Sequence, residues 1–202
     1  MKKTEFAARI QHACASVTAG ENLLTEIDSK FGDADHGLTM NKIAGAISQA
    51  VEDAEGGIQT MLDDAAMAVM MLNGGSAVPL WNTWLDGMQE TAPAGDDIDV
   101  AGLQAMFAHG LEALSDISGA KVGDKTMMDA LIPASQAIAD YSGTDEGELF
   151  IQAARAAQEG AEATKQFTAK FGRAKSYGEQ TIGTPDAGAT SMSLFFQGLA
   201  QN

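Results

Sequence analysis

The stretch Asp28-Ser29-Lys30-Phe31-Gly32-Asp33-Ala34-Asp35-His36-Gly37 sets three carboxylates within eight residues, punctuated by two glycines. Carboxylates this close repel one another unless water or a cation screens them, and a hard divalent cation with oxygen ligands is the usual solution. A chain with 28 Asp plus Glu also forms acidic clusters by chance. The glycines, which permit unusual backbone angles, and the scarcity of nearby base beyond Lys30 favour the metal. Asp33-x-Asp35 resembles the opening of an EF-hand loop, but Gly37 and Ala44 stand where that loop needs an acidic or amide residue and a glutamate. Magnesium, which takes one or two carboxylates together with phosphate and water, fits better. A His-Asp phosphohydrolase site is a rival, yet the order here is Asp35-His36 and the chain has only three histidines. His12 and His109 fall in helical patterns and read as structural.

Outward from this stretch the periodicity is helical on both sides. Phe6, Ile10, Cys14, Val17 and Leu24 predict a helix from Thr4 to about Thr25. Met40, Ile43, Ala44 and Ile47 predict a second one running to about Asp53. The acidic loop therefore joins two helices, and His36, Gly37, Leu38 and Thr39 lie at a helix amino terminus whose free N–H groups favour anions. Further helical stripes follow at 58–72, 80–88, 100–117, 128–138, 146–171 and 191–199, and no stretch alternates with period two. The expectation is an all-α fold, an eight-helix antiparallel up-and-down barrel or bundle, forming one domain over 1–202.

The chemically marked loops precede alternate helices. They are the acidic loop, Asn73-Gly74-Gly75-Ser76-Ala77, Gly119 to Thr126 and Met127, and Gly183-Thr184-Pro185-Asp186-Ala187-Gly188. In an up-and-down bundle those helix starts share one end, so the loops can converge on one site. Gly119-Ala-Lys-Val-Gly123-Asp-Lys125-Thr126 imitates a P-loop but has Asp124 where a glycine should precede the lysine, and no strand leads into it. A P-loop fold is rejected, with the loop retained as a possible nucleotide contact. Basic residues gather at Lys165, Lys170, Arg173 and Lys175, either as a cationic helix end or to place Arg173 on a nucleotide phosphate. Asp186 could equally serve as a helix cap.

The net charge of −16 argues against nucleic acid as a partner, since phosphate backbones are bound through clustered Lys and Arg. No apolar run approaches a membrane span, and Glu5, Arg9, Gln11 and His12 interrupt any signal core. With the lone Cys14 unable to form an internal disulfide, a reduced, cytoplasmic protein is expected.

Taken together, Asp28-x4-Asp33-Ala-Asp35-His36-Gly37, Gly74-Gly75, Gly123-Asp124-Lys125-Thr126-Met127-x-Asp129, Gly172-Arg173-Ala174 and Asp186-x-Gly188-Ala189 resemble the ADP-binding L subunit of phosphotransferase-system-dependent dihydroxyacetone kinases. The resemblance implies an eight-helix barrel with the nucleotide at one end. It also implies two Mg2+ held by Asp28, Asp33 and Asp35 against ADP phosphates. His36, Gly37, Leu38, Thr39, Ser76, Ala77, Gly119, Met127, Arg173, Asp186, Ala187 and Gly188 would line the nucleotide, with Arg173 also acting on the transferring phosphoryl group. ADP would stay bound, be recharged to ATP by a phosphohistidine carrier protein, and pass the phosphoryl group to a ketose on a separate K subunit. The chain departs from the family's Gly-Gly-Ala-Ser-Gly loop at Ser76, Ala77 and Val78, which predicts an altered loop path. Two rivals are an ATP-dependent ketose kinase domain and a nucleotide sensor that binds a transcriptional regulator.

Overall fold

The computed structural model describes residues 1–201, and among these the fold is helical, apart from an isolated bridge between Lys2 and Asp97. The α-helices are α1 (Lys3–Ala19), α2 (Glu21–Asp28), α3 (His36–Asp53), α4 (Ile58–Met70), α5 (Ala77–Thr91), α6 (Val100–Ser118), α7 (Met128–Asp140), α8 (Glu146–Ala163) and α9 (Ala187–Leu199). Two 3-10 segments, Thr164–Gln166 and Arg173–Thr181, lie between α8 and α9. Each helix packs on its successor from α3 to α9, and α1 packs on both α9 and α3, which closes the ring. Because α1 and α2 together occupy one position, the barrel has the eight expected places. Among the described residues no helix is long and apolar enough to cross a membrane.

The split of the first helix is a departure from the periodic reading, and it has a steric cause. Gly20 lies where a Cβ would stand 2.5 Å from Leu194 Cδ1 of α9, and the chain redirects there before α2 continues toward Asp28. The long helix expected to reach Phe171 also ends early, at Ala163. Thr164 turns its hydroxyl onto the Ala161 carbonyl, and its own carbonyl accepts both the Lys125 ammonium and the Phe167 N–H at 3.1 Å, so the α-helix passes into a 3-10 turn there. The small residues of α8 do bring helices close: a Cβ at Gly160 would stand 2.0 Å from the Asp129 carbonyl oxygen of α7.

The barrel interior is filled by aromatic rings. Trp84 meets Trp81 edge-on at 5.4 Å between centroids and Phe195 at 5.6 Å, with Phe107 and Phe196 beside them. Pairs of this geometry add to the burial of their area. Cys14 is buried in the same core, and burial pushes its thiol up to about 12, which keeps it protonated and inert.

Candidate active site

A cleft of about 590 Å³ opens where α3, α5, α7 and α9 begin, and it is walled by the loops that precede those helices together with residues 171–174. The expected convergence of helix starts is therefore present. The N-cap residues of α5 and α7, Ser76 and Met127, make no side-chain cap; the Val78 N–H goes to the Gly75 carbonyl and the Met128 N–H to the Thr126 hydroxyl at 3.2 Å, so what these helix starts turn to the cleft is chiefly the positive end of their dipoles.

Asp28, the last residue of α2, organises the acidic wall. Its Oδ2 accepts the N–H of Asp35 at 3.1 Å and of His36 at 3.4 Å, so one carboxylate both ends α2 and fixes the turn into α3. That turn passes through Ala34 at φ 62°, a left-handed angle uncommon outside glycine. A Cβ at Gly32 would stand 2.0 Å from Asp28 Oδ1, so a side chain there would fill the space that the carboxylates border. One oxygen each from Asp28, Asp33 and Asp35 lies within 4.8 Å of the others. Burial, then the charges of Asp33 and Asp28, raise the Asp35 carboxyl above its ordinary range. Arg173 Nη2 reaches Asp33 Oδ2 at 2.6 Å. Both side chains are substantially exposed, so the pair adds little stability; what matters is that it brings a guanidinium to the triad.

Arg173 is placed from two sides. Lys170 pairs with Asp124 at 2.6 Å, which also holds that carboxyl below its usual value, and Phe31 of the acidic loop meets the Tyr177 ring at 5.2 Å. On the neighbouring wall, His36 Nε2 lies 3.1 Å from Ser191 Oγ, while that hydroxyl donates to the Gly188 carbonyl at 2.9 Å. Burial lowers the proton affinity of the His36 ring, against the opposing charges of Asp28 and Asp35 and a backbone bond with Ala187, which favours the neutral imidazole.

The remaining walls are tied by charges turned inward. Buried Asp129 accepts the N–H groups of Gly123 at 2.6 Å and Thr126 at 2.7 Å, which shapes the loop before α7. Lys125 donates to the carbonyls of Thr164 and Thr184, each at 2.6 Å. Asp186 caps α9 by accepting from Ala189 N at 2.7 Å, and burial pushes its carboxyl up to about 7. Pro79, Leu80, Trp81, Ile117, Met127 and Pro185 supply an apolar lining beside these polar groups. Carboxylates, a guanidinium, converging helix starts and an apolar wall form a set suited to a metal-bound phosphate on a flat organic group.

The DAK2 domain profile matches residues 30–201. This chain belongs to the DAK2 domain family. It is 34% identical over 195 residues to the L-erythrulose 1-kinase of Mycolicibacterium smegmatis, a match covering 95% of this chain and 34% of that one. It is 31% identical over 194 residues to the ADP-binding subunit DhaL of the PEP-dependent dihydroxyacetone kinase of Escherichia coli, covering 93% of this chain and 91% of that one. The crystal structure of the dihydroxyacetone kinase from C. freundii with AMP-PNP and Mg2+ superposes with a TM-score of 0.74 at 24% identity, over 96% of this chain and 33% of that one. The chain thus spans about a third of the length of the first curated relatives it matches.

Within this DAK2 domain the cleft gathers Asp28, Asp33, Asp35, His36, Thr39, Ser76, Ala77, Met127, Arg173, Asp186, Ala187 and Gly188. Gly37, Leu38 and Gly119 are not on its wall. A Cβ at Gly37 would stand 2.2 Å from the Glu21 carbonyl oxygen, so this glycine serves the contact of α3 with α2. Leu38 is half exposed, one step further round the helix, and Gly119 ends α6 at φ 62°. Val78 does not bend the altered loop: it sits in the first turn of α5, buried, where a valine backbone is at ease and its side chain fills the space beside Gly74. Phe31, Ile117 and Phe171 line the cleft without having been marked in the sequence. Ile117 and Phe171 are apolar yet 57% and 40% exposed, and apolar residues flanking polar loops were the signal available.

Proposed function

We propose that this chain is the nucleotide-binding, phosphoryl-transferring component of a small-ketose kinase working in the cytoplasm, with dihydroxyacetone or a related ketose such as erythrulose as acceptor. The observation that carries the reading is the meeting of the Asp28, Asp33 and Asp35 oxygens, Arg173 and the amino ends of α5 and α7 around one cleft. Three carboxylate oxygens within 4.8 Å, with Gly32 leaving the space beside Asp28 clear, form a donor set for a hard divalent cation. Asp28, Asp33 and Asp35 would hold Mg2+, two ions in the fuller form of the proposal, with ADP or ATP lying along His36, Thr39, Ser76, Ala77, Met127 and the turn Asp186, Ala187, Gly188. Bound together, cation and nucleotide supply the phosphoryl group and neutralise its charge.

The chain's own residues do the positioning. Asp28 fixes the start of α3, so the N–H groups of that helix and the triad are set by one side chain. Neutral His36, held by Ser191, can donate or accept without adding charge. Arg173 begins paired with Asp33 and lies within reach of the space over the triad, where it would stabilise charge on a transferring group. The cleft offers no evident covalent anchor for a ketose, so acceptor binding belongs to a K subunit. In this reading a phosphohistidine carrier recharges the bound nucleotide, a role supported by the 31% identity to the ADP-binding subunit of a PEP-dependent kinase.

A second reading has one observation behind it. The erythrulose kinases are 34–35% identical to this chain against 31% for the E. coli subunit, and this chain matches about a third of each of them. In that reading the nucleotide is exchanged ATP. One experiment separates the two. The purified chain is assayed with a K subunit and a ketose, supplied either with ATP or with a phosphohistidine carrier charged from phosphoenolpyruvate. Turnover with the carrier and retained ADP supports the first reading, and turnover with ATP alone supports the second. Failure to bind MgADP at all refutes both.

A further inference from the structure

Among the described residues only Ala34 and Lys125 have positive φ without being glycine, each at 62°, and both sit in loops of the cleft. A left-handed lysine is uncommon, and glycine would take that angle without strain, so the side chain must be what keeps lysine there. The sequence Gly123-Asp124-Lys125-Thr126 invites a phosphate contact, but the ammonium is turned elsewhere. Lys125 is 5% exposed, and its Nζ donates at 2.6 Å to the carbonyl of Thr164, which closes the carboxyl end of α8, and at 2.6 Å to that of Thr184, in the turn before α9.

The two acceptors lie behind the cleft lining, one at the end of α8 and the other next to Pro185, where the lining of the α9 turn begins. Thr164 Oγ1 accepts the Asp186 N–H at 2.9 Å, so the end of α8 and the cap of α9 are already joined, and Lys125 ties the loop before α7 to both. The walls are in close contact: a Cβ at Gly188 would stand 3.3 Å from Met127 N. Asp129 fixes the same loop from behind through Gly123 and Thr126. Burial lowers the proton affinity of Lys125, while the charges of Asp186 and Asp129 oppose that loss.

We infer that Lys125 is a positioning residue of the nucleotide site, whose ammonium joins the loop at 123–127 to the end of α8 at Thr164 and to the turn at 184–188, and so sets Met127 and Gly188 at their separation. This rests on the nucleotide reading above. It concerns one side of the cleft only, because the triad is built by the α2–α3 turn, with Asp28 as its fastener.

The test uses the full chain and two variants. Lys125→Met keeps the stem and removes the donors, leaving two buried carbonyls unpaired. Lys125→Gly removes the ammonium while relieving the left-handed strain, so it separates the bond from the backbone. ADP binding in Mg2+ is measured by calorimetry, and Mn2+ binding without nucleotide by the spin-resonance signal of the free ion; helical content and melting are followed alongside. The expected result is an ADP dissociation constant raised about tenfold or more in both variants, with Mn2+ affinity within about twofold of the parent. If only Lys125→Gly folds, it decides. Three results overturn the inference: ADP binding in Lys125→Gly within about twofold of the parent, Mn2+ affinity falling in parallel with ADP affinity, or neither variant keeping its helical signal, which would place Lys125 in the folding core. A parent chain that binds Mn2+ but not ADP overturns the nucleotide reading itself, and this inference with it.

Discussion

Replacing Gly37 by alanine tests whether this residue faces a ligand or another helix. A Cβ at 37 would lie 2.1 Å from Thr25 Oγ1, 2.2 Å from the Glu21 carbonyl oxygen and 2.9 Å from Thr25 N. The Thr25 hydroxyl could rotate away, but the other two atoms are backbone of α2, so α3 must draw back by roughly 1 Å. Overpacking of this kind costs about 1–3 kcal/mol, and the rigidity of both helices puts this site near the upper end. Alanine recovers up to about 1 kcal/mol through its better helix propensity, leaving a net loss of about 2 kcal/mol. For a chain of this size that is a drop of roughly 4–8 °C in melting temperature. The same retreat carries Asp35 and His36 away from Asp28 Oδ2, so metal affinity should fall although Gly37 is not on the cleft wall. Thermal melting by circular dichroism and Mn2+ titration read the two effects. A melting temperature unchanged from the parent, with only nucleotide affinity reduced, would refute the packing argument and return Gly37 to the ligand.

Asp35→Asn should remove the stabilisation by Mg2+ seen in the melting curve, and by relieving repulsion within the triad it should leave the cation-free fold no less stable than the parent; a preserved Mg2+ shift would take Asp35 out of the metal set. Ser76→Ala should weaken nucleotide binding by about 1 kcal/mol without lowering the melting temperature, since its hydroxyl lines the cleft and caps nothing. Val78→Gly should instead cost about 2–3 kcal/mol of stability, because it empties a buried position in α5; a neutral result would show that the loop has room to follow the family's glycine path. Asp186 has its folded-state pKa raised from 3.8 to about 7, so between those values the folded chain holds more protons than the unfolded one. Its contribution to stability is therefore full below pH 4, declines as pH rises to about 7 and is constant above; Asp186→Asn, which can still cap α9, should flatten that part of a urea-unfolding profile.

The outline of the site was legible because two of its features are local. Three carboxylates in one loop need no tertiary structure to be seen, and helical periodicity on both sides of each marked loop places alternate helix starts at one end of an up-and-down barrel. What escaped the sequence depends on atoms far away in the chain. Gly20 redirects the first helix beside Leu194, α8 passes into a 3-10 turn at Thr164, whose carbonyl Lys125 also holds, and Gly37 is small for the sake of Glu21. Lys125 itself shows the limit: its motif points to phosphate, and only the positions of two carbonyls, 39 and 59 residues onward, reveal where the ammonium goes. Val78 is a different case: its departure from the family pattern predicts an altered loop path, and the structure has it buried in the first turn of α5.

The same bonds explain how a chain of net charge −16 can present a site for an anion. Several of its cations near the cleft are already engaged: Lys125 on two carbonyls, Lys170 on Asp124 and Arg173 on Asp33. Lysines committed to shaping the walls are not free to neutralise phosphate. Helix ends contribute only fractional charge, and an exposed guanidinium already paired with a carboxylate little more in water. The balance must therefore come through the triad, whose own repulsion makes it a poor structure by itself and a good one around a cation. Under the proposed function, cation and nucleotide each complete the other's site.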